Sequence, residues 1–290
     1  MKIALMDSGI GLLAAAATVR RLHPEADLVL SSDPDSMPWG PQSPAEITEL
    51  ALAVAEAAAA HRPDALIVAC NTASVHALPA LRARLEPELP VIGTVPAIKP
   101  AAAGGGPVAI WATPATTGSP YQRGLIEDFA SGVSVTEVPC PGLADAVQEA
   151  DEDAITRAIE AAAALTPPDV RAVVLGCTHY ELVGERIRAA VQQPDRPPLV
   201  LYGSAGAVAA QALRRARERA AAPHGDSAQD APERTGGTEG TEGTEGTEGT
   251  EGTEGTLTVL LGGHEAPLPR AAHIYAEGRL LAATDPALKS

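Results

Sequence analysis

The strongest constraint on the fold is an alternation of short, near-continuous apolar runs with longer helical stretches. The runs are Ile3–Met6, Leu28–Leu30, Ala65–Ala69, Val91–Val95, Val108–Ala112, Val133–Val138, Val173–Leu175 and Leu199–Tyr202. Most are bounded by Gly, Pro, Asp or Ser. A strand with one wet face alternates apolar and polar residues, whereas a strand covered on both faces does not. These runs therefore read as strands of parallel sheets flanked by helices, a doubly wound α/β architecture. The core must be built from Ala, Val, Leu and Ile, since the chain has only 1 Phe, 2 Trp and 4 Tyr. Ser43-Pro44-Ala45-Glu46 opens one intervening helix, with Ser as N-cap, Pro at N1 and Glu at N3. That helix is expected to run to about His61, where Pro63 stops it.

At 290 residues the chain is long enough for two such domains or one large one. Residues Pro223 to Thr256 break the pattern. They contain six consecutive Thr-Glu-Gly triplets, Thr238 to Gly255, with no apolar residue to offset the entropy of ordering. We read them as a flexible acidic linker. Leu257–Leu261 then resumes an apolar run, and Pro269–Leu281 is expected to form a final helix, so the tract interrupts a domain and is not a tail.

The formal net charge is −16, and no Lys/Arg cluster offers the basic footprint that nucleic acid needs. Arg214, Arg215, Arg217 and Arg219 read as the solvated face of a helix. No apolar run is long enough to span a membrane, and Asp7 interrupts anything resembling a signal peptide, so the expected location is cytoplasmic. Three cysteines without metal-ligand spacing argue against a disulfide framework and against a metal site.

Two segments far apart in sequence echo one another. Ala65-Leu-Ile-Val-Ala-Cys70-Asn71-Thr72 and Ala172-Val-Val-Leu-Gly-Cys177-Thr178-His179 are each an apolar strand ending in Cys, then small polar residues at a helix start. Parallel sheets bind ligands beyond the carboxyl ends of their strands. A helix N-terminus there is expected to lower a thiol pKa. Two opposed thiols suit inversion of a stereocentre without a cofactor. One base removes the α-proton from one face while an acid delivers a proton to the other. Asn71, Thr72 and Thr178 are the type of residue that binds an α-carboxylate and absorbs developing charge. Cys140, in Pro139-Cys140-Pro141, reads as a buried small hydrophobe. His76, His264 and His273 read as surface or packing residues.

These motifs, with Asp7-Ser8-Gly9-Ile10-Gly11, Pro90-Val-Ile-Gly-Thr-Val-Pro-Ala-Ile-Lys99-Pro100, Thr113 with Thr116 and Ser119, and Leu175-Gly-Cys177-Thr178-His179-Tyr180, occur in family order from Met1 to about Ala210. The chain resembles the aspartate/glutamate racemases, most closely the glutamate-specific branch that supplies D-glutamate for peptidoglycan. The resemblance implies two α/β domains facing each other across a cleft: residues 1–97 with 207–290, and residues 98–206. It implies Cys70 for the D-enantiomer's face and Cys177 for the other, supported by Asp7 and His179 respectively. Ser8, Trp39, Gly40, Asn71, Thr72, Thr116 and Thr178 would contact the amino acid. No cofactor or metal is implied, and a homodimer is the assembly the family suggests. Asp7 as a helix cap and His179 as a packing residue are the plain alternatives.

Three departures fall near the expected site. Pro38-Trp39-Gly40 stands where the family usually has Pro-Tyr-Gly, leaving an indole N–H that only donates. Leu12 replaces a Gly, and its Cβ is expected to restrict the backbone and crowd the pocket. Gln148 replaces a Glu that assists one thiol; either Glu149 beside it substitutes with a shifted loop, or the Cys177 side lacks this helper. The readings that follow are a glutamate racemase, a racemase for another small acid such as aspartate, a non-catalytic paralogue that binds an acidic ligand or a protein partner, or a thiol-redox protein. The last would need the two sulfurs at bonding distance.

Overall fold

The computed structural model describes residues 1–221 and 254–283. The chain runs through β1 (Lys2–Asp7), α1 (Leu13–Leu22), β2 (Asp27–Ser32), α2 (Pro44–Ala59), β3 (Ala65–Val68), α3 (Asn71–His76), α4 (Leu78–Leu85), β4 (Val91–Gly93) and α5 (Ile98–Ala103). It continues through β5 (Val108–Ala112), α6 (Pro120–Phe129), β6 (Val135–Pro139), α7 (Leu143–Glu149), α8 (Glu152–Leu165), β7 (Ala172–Leu175), α9 (Thr178–Glu181), α10 (Gly184–Val191), β8 (Val200–Tyr202) and α11 (Ala205–Ala221). Beyond residue 253 come β9 (Leu257–Leu261), β10 (His264–Glu265) and α12 (Ala276–Ala283).

The architecture is α/β with two sheets. One has the order β10-β9-β2-β1-β3-β4 and the other β6-β5-β7-β8. All neighbours run parallel except β10, which pairs antiparallel with β9 at the edge. Each of the eight apolar runs contains or overlaps a strand. In β1, Ile3, Ala4, Leu5 and Met6 are fully buried, as expected of a strand covered on both faces. Strand β6 lies at an edge and is mostly half-buried.

Helix α2 starts as its sequence requires. The Glu46 N–H donates to Ser43 Oγ at 3.3 Å, and the Ser43 N–H donates to the Glu46 carboxylate at 2.9 Å. After β8 the chain returns to the first sheet, where α11 packs on α1 and β3. Its arginines are exposed, and Arg214 pairs with Glu218 at 2.6 Å. No described helix is long and apolar enough to cross a membrane. Among the described residues, no group of three or more His, Cys, Asp or Glu side chains could hold a metal ion.

The Thr-Glu-Gly triplets lie outside the described residues, apart from Glu254 and Gly255. The chain re-enters along α1 and β2. The Gly255 N–H donates to Pro24 O at 3.0 Å, and Thr256 Oγ1 donates to the Asp27 carboxylate at 2.7 Å. Strand β9 then adds to the first sheet beside β2. The single helix expected over Pro269–Leu281 is instead two pieces, a 3-10 turn at Arg270–Ile274 and then α12. Tyr275 between them is extended, and its hydroxyl reaches Val147 O at 2.6 Å. A buried tertiary hydrogen bond of this kind competes with a weak local helical preference.

Candidate active site

The carboxyl ends of β1, β3, β5, β6 and β7 converge on one cavity of about 520 Å³. That volume falls in the usual range for a small-molecule site. Asp7, Ser8, Trp39, Gly40, Cys70, Asn71, Thr72, Thr116, Cys177, Thr178 and His179 all line it. Among the lining residues there is no Lys or Arg, so an anionic ligand would be met by neutral donors.

The two thiols occupy equivalent places. Cys70 caps α3 just beyond β3, and Cys177 caps α9 just beyond β7. Both have extended backbones, with φ near −137° and −139°, so each side chain swings off its strand end as the helix begins. The expected lowering of their pKa values is not found. Burial pushes Cys70 well above its ordinary range, reinforced by the neighbouring Asp7 carboxylate. Burial likewise pushes Cys177 up to about 12, although the His179 and Tyr180 N–H groups pull the other way. Helices of six and four residues carry too little dipole to offset this desolvation. Both thiols therefore rest protonated.

Each thiol has a proton acceptor beside it. Asp7 lies close enough to Cys70 to raise its pKa, and it accepts from the Ser8 N–H at 2.7 Å and the Ser8 hydroxyl at 3.2 Å. Its burial raises it to about 7. His179 Nδ1 lies 3.9 Å from Cys177 Sγ, and burial lowers this imidazole to about 4, so it rests neutral.

Hydrogen bonds join the walls of the two sheets. Asn71 Nδ2 donates to Gly176 O at 2.7 Å, and Thr178 Oγ1 donates to Asp7 Oδ2 at 3.4 Å. Asn71 Oδ1 is buried without a hydrogen-bond partner.

The departures resolve differently from expectation. Trp39 lines the cavity, but its indole N–H donates to Ser36 Oγ at 2.8 Å and is not a free handle. Leu12 points into the core, not the cavity, and its backbone is ordinary right-handed helix, so its Cβ restricts nothing. Glu149 is exposed and does not replace the missing acid. Gln148 does not line the cavity, but its Oε1 lies 3.2 Å from Nε2 of His179, which does.

Sequence reasoning did not mark several other lining residues. Met37 and Pro41 come from the loop after β2, and Asp145 from α7. Cys140, although buried, also lines the cavity. Nothing in the local pattern of Met37, Pro41 or Asp145 distinguishes them from ordinary loop or helix residues, whereas Cys140 reads in the sequence only as a buried small hydrophobe.

Gly11 is where the site is tightest. A Cβ there would strike Asp7 Oδ2, come within 2.5 Å of Thr178 Oγ1 and within 2.6 Å of His179 Nδ1. Gly11→Ala will therefore lower the urea midpoint by an amount equivalent to about 1–3 kcal/mol, the usual cost of overpacking. An unchanged midpoint would show that these three groups can move apart freely.

Comparison with known proteins gives a consistent result. A profile for the family described as Asp/Glu/Hydantoin racemase matches residues 12–212. A glutamate racemase from Roseiflexus sp. (strain RS-1) is 39% identical over 192 residues, covering 64% of this chain and 70% of that protein. One from Granulibacter bethesdensis is 37% identical over 233 residues, covering 78% and 82%. The crystal structure of Escherichia coli glutamate racemase in complex with L-glutamate and activator UDP-MurNAc-ala matches with a TM-score of 0.69 at 26% identity, covering 99% of this chain and 94% of that one.

Proposed function

We propose, from the premise that the chain belongs to the Asp/Glu/Hydantoin racemase family, that it interconverts L- and D-glutamate by a cofactor-independent two-base mechanism. The observation that carries this reading is the pair of thiols. Cys70 and Cys177 end corresponding strands of the two sheets and line the same cavity.

The chemistry follows from the resting state. Asp7 takes the proton of Cys70, or His179 Nδ1 takes that of Cys177, to form the attacking thiolate. That thiolate removes the α-proton from the face it meets, Cys70 from the D-enantiomer and Cys177 from the L-enantiomer. The opposite thiol delivers its own proton to the other face of the carbanion. Asn71, which lines the cavity, is a polar contact for the amino acid. Ser8, Thr72, Thr116 and Thr178 supply neutral donors to the carboxylates, with Trp39 and Gly40 as wall. In this reading residues 1–97 with 207–290 belong to one domain and residues 98–206 to the other. The enzyme would work in the cytoplasm, supplying D-glutamate for peptidoglycan.

The test is α-proton exchange in deuterated water with L-glutamate, D-glutamate, L-aspartate and D-aspartate. We expect exchange and inversion with both glutamate enantiomers and much less with aspartate. A preference for aspartate would reassign the substrate, and no exchange with any of the four would sink the racemase reading.

A further inference from the structure

Gln148 belongs to α7, which follows β6 of the second sheet, yet it reaches the loop after β1 of the first. Its Oε1 accepts the Ile10 N–H at 2.9 Å. That contact fixes the amide's orientation, because only the carbonyl end can accept from a backbone N–H. The same oxygen lies 3.2 Å from His179 Nε2. An oxygen that can only accept requires a hydrogen on Nε2. Burial keeps the imidazole neutral, so it has a single N–H, and that N–H is on Nε2. Nδ1 is then a bare lone pair, 3.9 Å from Cys177 Sγ. Room for the arrangement comes from Gly9, where a Cβ would strike Gln148 Oε1.

We propose that Gln148 is a positioning residue that holds His179 as its Nε2–H tautomer and so turns the Nδ1 acceptor towards the Cys177 thiol. The proton path is simple and balanced. Cys177 S–H gives its proton to Nδ1, leaving a thiolate and an imidazolium whose Nε2–H still donates to Gln148. The reverse transfer restores both neutral groups. Because Ile10 and Gln148 come from different sheets, the amide's orientation is fixed by Ile10 only while the two walls are together. The catalytic consequence rests on the two-base reading above, whereas the tautomer itself does not.

The full-length protein labelled with ¹⁵N-histidine gives the decisive readout, with His179→Gln used to assign the signal. We expect His179 to carry its proton on Nε2 in the wild type and in Gln148→Glu, which keeps an acceptor in place. In Gln148→Leu the tautomer preference should be lost. With glutamate as substrate, Gln148→Leu should lower kcat about 10–100-fold, as loss of an orienting partner typically does. KM should stay within about twofold, because the residue does not touch the substrate. Gln148→Glu should recover most of the lost kcat. A wild-type His179 protonated on Nδ1 overturns the proposal, even if Gln148→Leu fails to fold. So does a folded Gln148→Leu with unchanged kcat. A wild type that exchanges no α-proton would remove the racemase reading alone, and the tautomer measurement would still decide the role of Gln148.

Discussion

Cys70→Ser and Cys177→Ser will each abolish racemisation of glutamate, lowering turnover by at least about 10³-fold, within the range that positioned acids and bases contribute. Inversion needs an acid on one face and a base on the other, so neither thiol can be spared. A serine hydroxyl keeps the shape but does not give up its proton at neutral pH. Both directions must fall together, because the two enantiomers are equal in energy in an achiral solvent and kcat/KM is the same from either side.

The variants will differ in one respect. Cys70→Ser retains the thiol facing the L-enantiomer and should still exchange the α-proton of L-glutamate slowly in deuterated water without inverting it. Cys177→Ser should do the same for D-glutamate. Polarimetry measures inversion, and proton NMR of each enantiomer measures exchange. Retention of racemisation within tenfold of wild type by either folded variant would exclude the two-thiol mechanism.

Asp7→Asn has the second large effect, in opposite directions on stability and activity. Asp7 is fully buried and its carboxyl is raised from 3.8 to about 7 by loss of solvent. Below pH 3.8 the group is protonated whether the chain is folded or unfolded, and it costs nothing. Between 3.8 and about 7 the folded state binds more protons than the unfolded state, so stability falls as pH rises. Above about 7 the cost is complete, about 4 kcal/mol at 1.36 kcal/mol per unit. Asn resembles the protonated form, so the variant should be more stable than wild type by up to about 4 kcal/mol at pH 8. That gain should vanish near pH 4.

Activity should go the other way. Asn cannot accept the Cys70 proton, and turnover should fall about 10²–10⁴-fold. In the wild type, kcat/KM should rise as pH passes through about 7 and Asp7 ionises. Urea unfolding at pH 4, 6 and 8, with a pH–rate profile, checks both. A variant less stable than wild type at pH 8, or a stability difference independent of pH, would show that Asp7 is comfortable as a buried anion.

Much of this was legible in the sequence because it is written in local pattern. Continuous apolar runs placed β1 to β8, since a strand covered on both faces leaves no room for polar alternation. The Ser43–Glu46 spacing placed the start of α2, because a capping box is satisfied within four residues. The echo around Cys70 and Cys177 placed both thiols beyond strand ends, where parallel sheets bind ligands.

What the sequence could not decide depends on which surfaces meet. Leu12 looked like an intrusion into the pocket, and only the packing of the turn against the core showed its side chain turned away. Trp39 looked like a free donor until Ser36 was found beneath its indole. Gln148 looked like a lost helper, but its bond to Ile10 crosses from one sheet to the other and its bond to His179 joins two helices far apart in sequence, contacts that no local pattern connects. The paired cysteines show the division most clearly. Sequence alone determined that there are two, each at a strand end with polar residues behind it. Only the tertiary structure decided their resting charge, because desolvation depends on everything packed around a thiol and here outweighs the backbone N–H groups at the helix start.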